Sequence, residues 1–419
     1  MKCFVGLDVS STKLDVCIMS NDTELGVLYA ASLTNDIIGA SEIKEQVLSL
    51  NEKYEFNRVV IGMEATSLYS FHPAMFFHED SELKQLGVEV MIEQPAKIKK
   101  YREAFEENKN DTLDAFYIAD YFRIERFTRA YLKEEKYLAL QHLTRTRLQL
   151  VEQLVRTKQH FIENIYYKCN TLSVELKNED LNTSVWSATI MTLMTEDYTL
   201  DELANTPLED FTELIQKLGR GRFKAPEKLA KAIKAAIKGS YRLPQVQQES
   251  VNVVLSLLAR EIRSVETMIK DIDKAIEDMV EVIPEYRCLT SVPGIGKVFA
   301  AGIIAEIGQI ERFNDHPQVA KYAGLNWKET QSGNTSSQNT SLAKRGNRYL
   351  RFYLVEAANS VRRYNPEYAE FYKKKKDEVP KHKHKRAIVL TARKLVRLVD
   401  VLLRNHQLYT PPRRLMGDK

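Results

Sequence analysis

Four acids stand out by type and position: Asp8 in GLDVS, Glu64 in GMEAT, and Asp111 with Asp114 in NKNDTLDAFYIADYF. Asp8 closes one apolar run and Glu64 follows another, Val59, Val60 and Ile61, so both are expected at the ends of strands. A spacing of three puts Asp111 and Asp114 on one face of a helix. Four ionised carboxylates gathered together repel, and divalent cations relieve that repulsion. Two hard cations held about 4 Å apart by oxygen ligands stabilise both the attacking and the leaving oxygen of a phosphodiester displacement. Mg²⁺-assisted phosphoryl transfer is therefore the expected chemistry. Asp15, Glu103, Glu106 and Asp120 lie nearby, and any single acid reads as a solvated surface group. Placement at strand ends and the D-x-x-D pair set the four apart.

The elements that must position them follow from patterning. Lys2 to Ser10, Leu14 to Ser20 and Leu25 to Leu33 read as three short-looped strands, an antiparallel meander. A helical stretch near Ile37 to Leu50 leads to NRVVIGMEAT, a buried-type strand, and GVEVMIEQP supplies a fifth. Three strands, helix, strand, helix, strand, helix is the ribonuclease H-like order. Actin-like sugar kinases share it, and GLDVSSTKLDV resembles their first phosphate loop. Their second glycine-rich loop and adenosine motif are not found.

Beyond about Phe127 strand signals stop. Leu143, Leu150, Leu154, Phe161 and Ile165 form one helical seam, with Arg147 and Thr157 or Lys158 at intervening positions. Leu255, Leu258, Ile262, Val265, Ile269, Ile272, Ile276, Met279 and Ile283 alternate steps of three and four, the pattern of a coiled coil. Such helices can pair within one chain or join two chains as a dimer. The expected organisation is an α/β, RuvC-like domain over 1–130, a coiled-coil linker over 131–285 with a helical insertion near 172–241, and a mainly helical C-terminal domain over 286–419. No role follows for the insertion. In LTSVPGIGKVF, Gly294 and Gly296 sit between helical patterns, either as a helix-hairpin-helix turn whose N–H groups approach a DNA phosphate or as a plain tight turn.

Composition narrows the classes. With 419 residues and 44% hydrophobic content the chain is long enough for two or three compact domains. The start, MKCFVGLDVS, lacks signal-peptide character and no apolar run is long enough to span a bilayer, so a cytoplasmic protein without membrane contact is expected. Cys3, Cys17, Cys169 and Cys288 are scattered, which argues against zinc or a disulfide framework. Ser341 to Lys419 holds 21 Lys or Arg against 7 Asp or Glu, so this +14 tail follows a body of −10 within the overall +4. A basic end on an acidic body suits a nucleic-acid partner. Lys344, Arg345, Arg348 and Arg351 recur at helical spacing among Tyr349, Phe352 and Tyr353, so the cations can meet phosphates while most aromatics pack. Lys373 to Lys376 and KHKHKR extend the charge as a phosphate-tracking surface. His382 and His384 have no acidic or thiol companions nearby for a metal.

GLDVSSTKLDV, GMEATS, KNDTLDA, LTSVPGIG, AGLNWKETQSG, LAKRGNRYLR and HKRAIVLTARKL, in this order, resemble the DEDD transposases of bridge-RNA-guided insertion sequences. The likeness covers both ends of the chain; the helical middle matches in kind. It implies a RuvC-like domain joined through a coiled coil to a C-terminal domain whose serine attacks DNA covalently. A noncoding guide RNA would pair with donor and target DNA. From the coiled-coil pattern the expected assembly is a homo-oligomer, a dimer or a synaptic tetramer. By position the family's serine falls on Ser332 and its acids on Asp8, Glu64, Asp111 and Asp114. The stretch after AGL departs from the family, since Asn326 and Trp327 stand where a proline-containing stretch is common.

A phosphoserine link would conserve the energy of the broken phosphodiester, and Ser332 lies in a polar, glycine-containing stretch where a hydroxyl can be exposed. Two alternatives stay open: a metal-dependent nuclease resembling Holliday-junction resolvases, with Ser332 structural, and a non-enzymatic nucleic-acid-binding scaffold. No activating base for the serine is evident.

Overall fold

The computed structural model describes residues 1–22, 24–65, 68–105, 111–125, 133–177, 183–195, 198–327, 331–332, 335–336, 342 and 345–411, with backbone alone at 111, 112, 331, 332, 335 and 336. Lys344 lies outside the described residues. The chain forms two compact units, Met1–Glu135 with Gly308–Asn314, and Lys136–Ile307 with Asp315–Lys419.

The first unit runs β1 (Lys2–Val9), β2 (Lys13–Ser20), β3 (Val27–Thr34), α1 (Ile37–Tyr54), β4 (Arg58–Glu64), α2 (Phe71–Glu79), α3 (Ser81–Gln85), β5 (Glu89–Glu93), α4 (Pro95–Glu103) and α5 (Asp111–Arg123). Its sheet has the order β3-β2-β1-β4-β5. The first three strands pair antiparallel, while β4 lies parallel to β1 and to β5. This is the ribonuclease H-like arrangement expected from the element order.

Strand alternation divides the core into two layers. Cys3, Val5, Leu7, Val59, Ile61 and Met63 pack with Ile43 and Val47 of α1. Phe4, Cys17, Met19, Val60 and Met91 face the other way, onto Ile98 of α4 and Ala115, Ile118, Ala119 and Phe122 of α5. Burial pushes the Cys3 thiol up to about 12 and the Cys17 thiol to about 11, so these cysteines serve as small apolar side chains. On the α5 side the paired positions Gly6 and Gly62 leave a step in the central strands. A Cβ at Gly6 would lie 2.2 Å from the Ala115 carbonyl oxygen, and one at Gly62 would lie 2.0 Å from the Phe122 ring. Helix α5 therefore rests on strand backbone.

The second unit is almost entirely helical. Long α6 (Glu135–Lys168) is followed by α7 (Leu172–Glu175), α8 (Ala188–Leu193), α9 (Leu200–Asn205), α10 (Leu208–Leu218) and α11 (Pro226–Gly239), and then by long α12 (Gln245–Val280). Then come α13 (Pro284–Thr290), α14 (Lys297–Ile307), α15 (His316–Tyr322), the short strands β6 (Gln331–Ser332) and β7 (Thr335–Ser336), α16 (Arg348–Tyr364), α17 (Pro366–Asp377) and α18 (Lys383–Arg404). The polar positions that interrupt the α6 seam have partners on α12: Arg147 pairs with Asp273, Thr157 donates to Glu261 at 2.9 Å, and Lys158 meets Glu266 at 2.7 Å. From Arg147 to the turn holding Thr157 and Lys158 the α12 partners drop from Asp273 to Glu266 and Glu261, so the two helices run antiparallel within one chain.

The segment between them has its own core, in which Phe211, Ile215, Leu229, Ile233 and Ile237 pack with Phe161, Ile165, Leu255 and Ile262 of the long helices. Its two ends meet: Tyr241 N–H donates to Asn170 Oδ1 at 3.1 Å, and the Thr171 and Ser240 hydroxyls lie 3.1 Å apart. No helix among the described residues is long and apolar enough to cross a membrane.

Gly6→Ala must push against the α5 backbone at Ala115 and Ala119, whereas Gly62→Ala meets a buried side chain, the Phe122 ring. The expected loss of stability is about 2–3 kcal/mol for the first and clearly less for the second, read by urea unfolding; equal losses would contradict this account of the α5 seat.

Candidate active site

The two-layer alternation fixes which way each acid faces. Asp8 follows Gly6 by two residues, and Glu64 follows Gly62 by two, so both lie on the α5 face at the C-terminal ends of β1 and β4. Leu7 pairs with Met63, which makes Asp8 and Glu64 neighbours across adjacent strands about 4.8 Å apart. Register extends the row, because Asp8 pairs with Asp15 on β2 and Glu64 with Glu93 on β5. Four carboxylates therefore cross the sheet edge in one line.

Helix α5 runs antiparallel to β1 and β4. Glu125, just past its end, meets Lys2 at 2.7 Å and also pairs with Arg58, which are the first residues of those two strands. Its N-terminus consequently lies at the carboxylate edge. Stepping back from Ala115, seated on Gly6, to position 111 covers about 6 Å of helix, and Gly6 to Asp8 covers about 6.6 Å of strand. Position 111 is thus level with Asp8; only its backbone is described.

Asp114 is largely buried and ion-paired with Arg102 of α4. That hydrogen bond pushes the Arg102 guanidinium above its ordinary value, and Glu64 adds to the same field. Arg102 therefore feels the charge of two of the acids that the sequence singles out. Glu93 is held by the Lys97 amino group at 2.8 Å, by the Tyr121 hydroxyl at 3.0 Å and by the Gln94 amide at 2.7 Å. Among the described residues no three His, Cys, Asp or Glu side chains form a group that could hold a metal ion. The donor set is nonetheless suited to a hard divalent cation. Asp8, Asp15, Glu64, Glu93 and Asp114 all offer hard carboxylate oxygens at this edge, where Glu93 meets Lys97 and Asp114 meets Arg102. Glu93 and Arg102 escaped the sequence reading, because only β5 register and α4 packing bring them here.

In the second unit Ser332 is the last residue of β6, paired with Thr335 of β7 in an antiparallel hairpin. The sequence suggested an irregular polar stretch. The excursion is closed at its base by a bridge between Trp327 and Leu342. Behind that bridge, Asn347 N–H donates to the Tyr322 carbonyl at 2.7 Å. Gly346, at φ +126°, comes so near that a Cβ there would lie 2.4 Å from the Tyr322 oxygen. Arg351 is half-buried and donates to the Ala323 carbonyl at 3.2 Å, while Arg345 and Arg348 are exposed.

The joint is anchored on Glu306 of α14, which is fully buried. Its carboxylate accepts from Arg145 Nε at 2.7 Å and Nη2 at 2.9 Å, from Gln141 at 2.9 Å and from Asn347 Nδ2 at 2.6 Å. Asn347 also caps α16 through the Tyr349 and Leu350 amides. The Arg145 guanidinium lies 4.4 Å from the Tyr349 ring centroid and that of Arg348 lies 4.7 Å from it. Of the two turn glycines, Gly294, at φ +99°, is explained by packing, since a Cβ would fall 2.6 Å from Val361 Cα; Gly296 faces open space.

Two family models match: "Transposase IS116/IS110/IS902 family" over residues 286–373, and a DEDD model of IS110 type described as "Transposase" over residues 5–165. The chain belongs to the IS116/IS110/IS902 transposase family. The insertion element IS116 uncharacterized 44.8 kDa protein of Streptomyces clavuligerus is 28% identical over 73% of each chain. The pilin gene-inverting protein of Moraxella lacunata is 28% identical over 39% of this chain and 52% of its own. Among solved structures, T. thermophilus RuvC in complex with a Holliday junction substrate aligns with 29% of this chain and 96% of its own, at 14% identity and a TM-score of 0.22.

In this transposase the AGLNW and KRGNRYLR motifs enclose the hairpin that carries Ser332, with AGL and RGN forming its stapled base. Glu306→Ala would leave Arg145 and Asn347 without their acceptor. A loss of about 3 kcal/mol is expected on urea unfolding, since removing one partner of a buried pair strands the other. A change under about 1 kcal/mol would mean that the joint does not depend on this carboxylate.

Proposed function

We propose that this transposase is an RNA-guided DNA recombinase that cuts and exchanges strands through a serine nucleophile with the help of Mg²⁺. The observation that carries the reading is the carboxylate edge: Asp8 and Glu64 face α5 at neighbouring strand ends, with the N-terminal end of α5 level with them. Asp8, Glu64, Asp111 and Asp114 are the residues that would hold the ion, which would supply charge neutralisation at a phosphodiester. For Asp114 to serve, Arg102 must release it, and a guanidinium freed at this edge can take a phosphate oxygen instead.

Ser332 Oγ attacks the scissile phosphorus; the Oγ–P bond forms and the bond from phosphorus to the 3′ oxygen breaks. The serine's proton is accounted for on the released 3′ hydroxyl. Because the phosphoserine diester retains the bond's free energy, rejoining to a new 3′ end needs no nucleotide cofactor. The name of the Moraxella relative, a gene inverter, favours rejoining over simple degradation. Arg345 and Arg348, exposed beside the hairpin base, are suited to hold phosphates on either side of the cut, with Lys344 the adjoining cation in sequence.

Guidance by a noncoding RNA that pairs with donor and target rests on the motif resemblance and the matching family. Val253, Leu257 and Met268 remain exposed on α12, which supports assembly into dimers or larger oligomers.

Ser332→Ala is expected to abolish strand exchange on a two-plasmid substrate and to eliminate any denaturant-resistant protein–DNA adduct, with DNA binding retained. Recombinants from that variant would refute the serine's role. Asp8→Asn should stop cleavage at every Mg²⁺ concentration while Ser332 remains intact; wild-type cleavage would remove the carboxylate edge from the mechanism.

A further inference from the structure

The insertion between α6 and α12 carries a charge pattern that the recombination chemistry does not use. From Lys217 to Lys238 there are eight Lys or Arg and one acid, Glu227. The chain before Ser341 totals −10, so this +7 stretch lies in surroundings of −17. The separation of signs follows the fold. Helices α10 and α11 turn Phe211, Ile215, Leu229, Ile233 and Ile237 inward, and Lys217, Arg220, Arg222, Lys224, Lys228, Lys231 and Lys238 are all exposed. Lys228, Lys231 and Lys238 make one stripe along α11, about 15 Å long.

Few of these cations have a partner. Lys231 pairs with Glu227 at 2.7 Å, and half-buried Lys234 donates to the Ala204 carbonyl at 2.8 Å. Lys217, Arg220, Arg222, Lys224, Lys228 and Lys238 are in no ion pair with a described residue. The turn itself keeps its arginine at a conformational cost, since Arg220 has φ +50° where glycine would be relaxed. Beyond the turn α11 begins at Pro226, and Ala225 offers its first amides no side-chain cap.

We propose that the α10–α11 hairpin is a second DNA-binding surface, which follows the phosphate backbone of duplex DNA through Lys217, Arg220, Arg222, Lys224, Lys228 and Lys238. Single-stranded nucleic acid is gripped by stacking its bases on exposed aromatics. The one aromatic of the stretch, Phe223, packs against the helical core, at a point where a Cβ on Gly219 would lie 2.4 Å from its ring. Cations without stacking platforms fit the outside of a duplex, and DNA is the substrate on which a transposase acts. The proposal is independent of Ser332 and of the carboxylate edge.

The test uses the full-length protein and a fluorescein-labelled DNA duplex of unrelated sequence, with anisotropy recorded over a salt series. Arg220→Gln/Arg222→Gln is expected to weaken binding about tenfold at moderate salt and to reduce the slope of log K against log salt by about 0.9 for each phosphate no longer neutralised. Arg220→Gly separates binding from folding: relief of the positive φ should hold or raise the melting temperature while affinity falls. Unchanged affinity and slope in both variants would overturn the proposal. So would a loss confined to an RNA duplex or to single strands, because the surface would then serve another ligand.

Discussion

How closely α5 can approach the sheet decides whether the acids of this protein can act together. A helix resting on ordinary side chains stands about 10 Å from a sheet, and carboxylates on the two elements would then be separated by a layer of methyl groups. Gly6 and Gly62 remove that layer where the central strands pair, so Ala115 touches backbone. The helix is held in direction by Glu125 at its far end and by α4 along its side. Each of these contacts is remote from the carboxylates, yet each determines where the α5 acids stand.

The two candidate centres handle charge in opposite ways. At the sheet edge several carboxylates gather, and Arg102 and Lys97 pair with two of them. Such an edge is stable while cations are at hand and easily rearranged when one is exchanged for another. At Glu306 a single carboxylate is saturated by donors from α6 and from the start of α16, with no exposure to solvent. A buried charge with all its hydrogen bonds made holds one geometry rigidly. The first arrangement suits chemistry, and the second suits a fixed mount for the hairpin it supports.

Much of the first unit was legible because its elements are short and strongly patterned. The apolar runs and intervening turns gave five strands in the right order, and alternation along β1 and β4 was enough to put Asp8 and Glu64 at strand ends. What required coordinates depends on register and on contacts distant in sequence. Asp15 looked like one surface acid among several until its pairing with Asp8 was visible, and Glu93 joins the row only through β5. The β6–β7 hairpin could not be read from ETQSGNTSSQ, whose small polar residues carry no alternation. Arg147, Thr157 and Lys158 looked like interruptions of a seam, and their reason lies on α12 more than a hundred residues away. The early turns of α6 also belong to the C-terminal core, where the Tyr353 hydroxyl donates to the Thr144 carbonyl at 2.9 Å.

The meeting of Asn170 and Thr171 with Ser240 and Tyr241 has a consequence for how such a protein can vary. A segment whose entry and exit touch can be lengthened, replaced or deleted while the flanking helices keep their path, since a short turn would close the same gap. The antiparallel helix pair then behaves as a socket and the insertion as an exchangeable cassette. Chains sharing both ends of this sequence are then free to carry different cassettes between the same two helices.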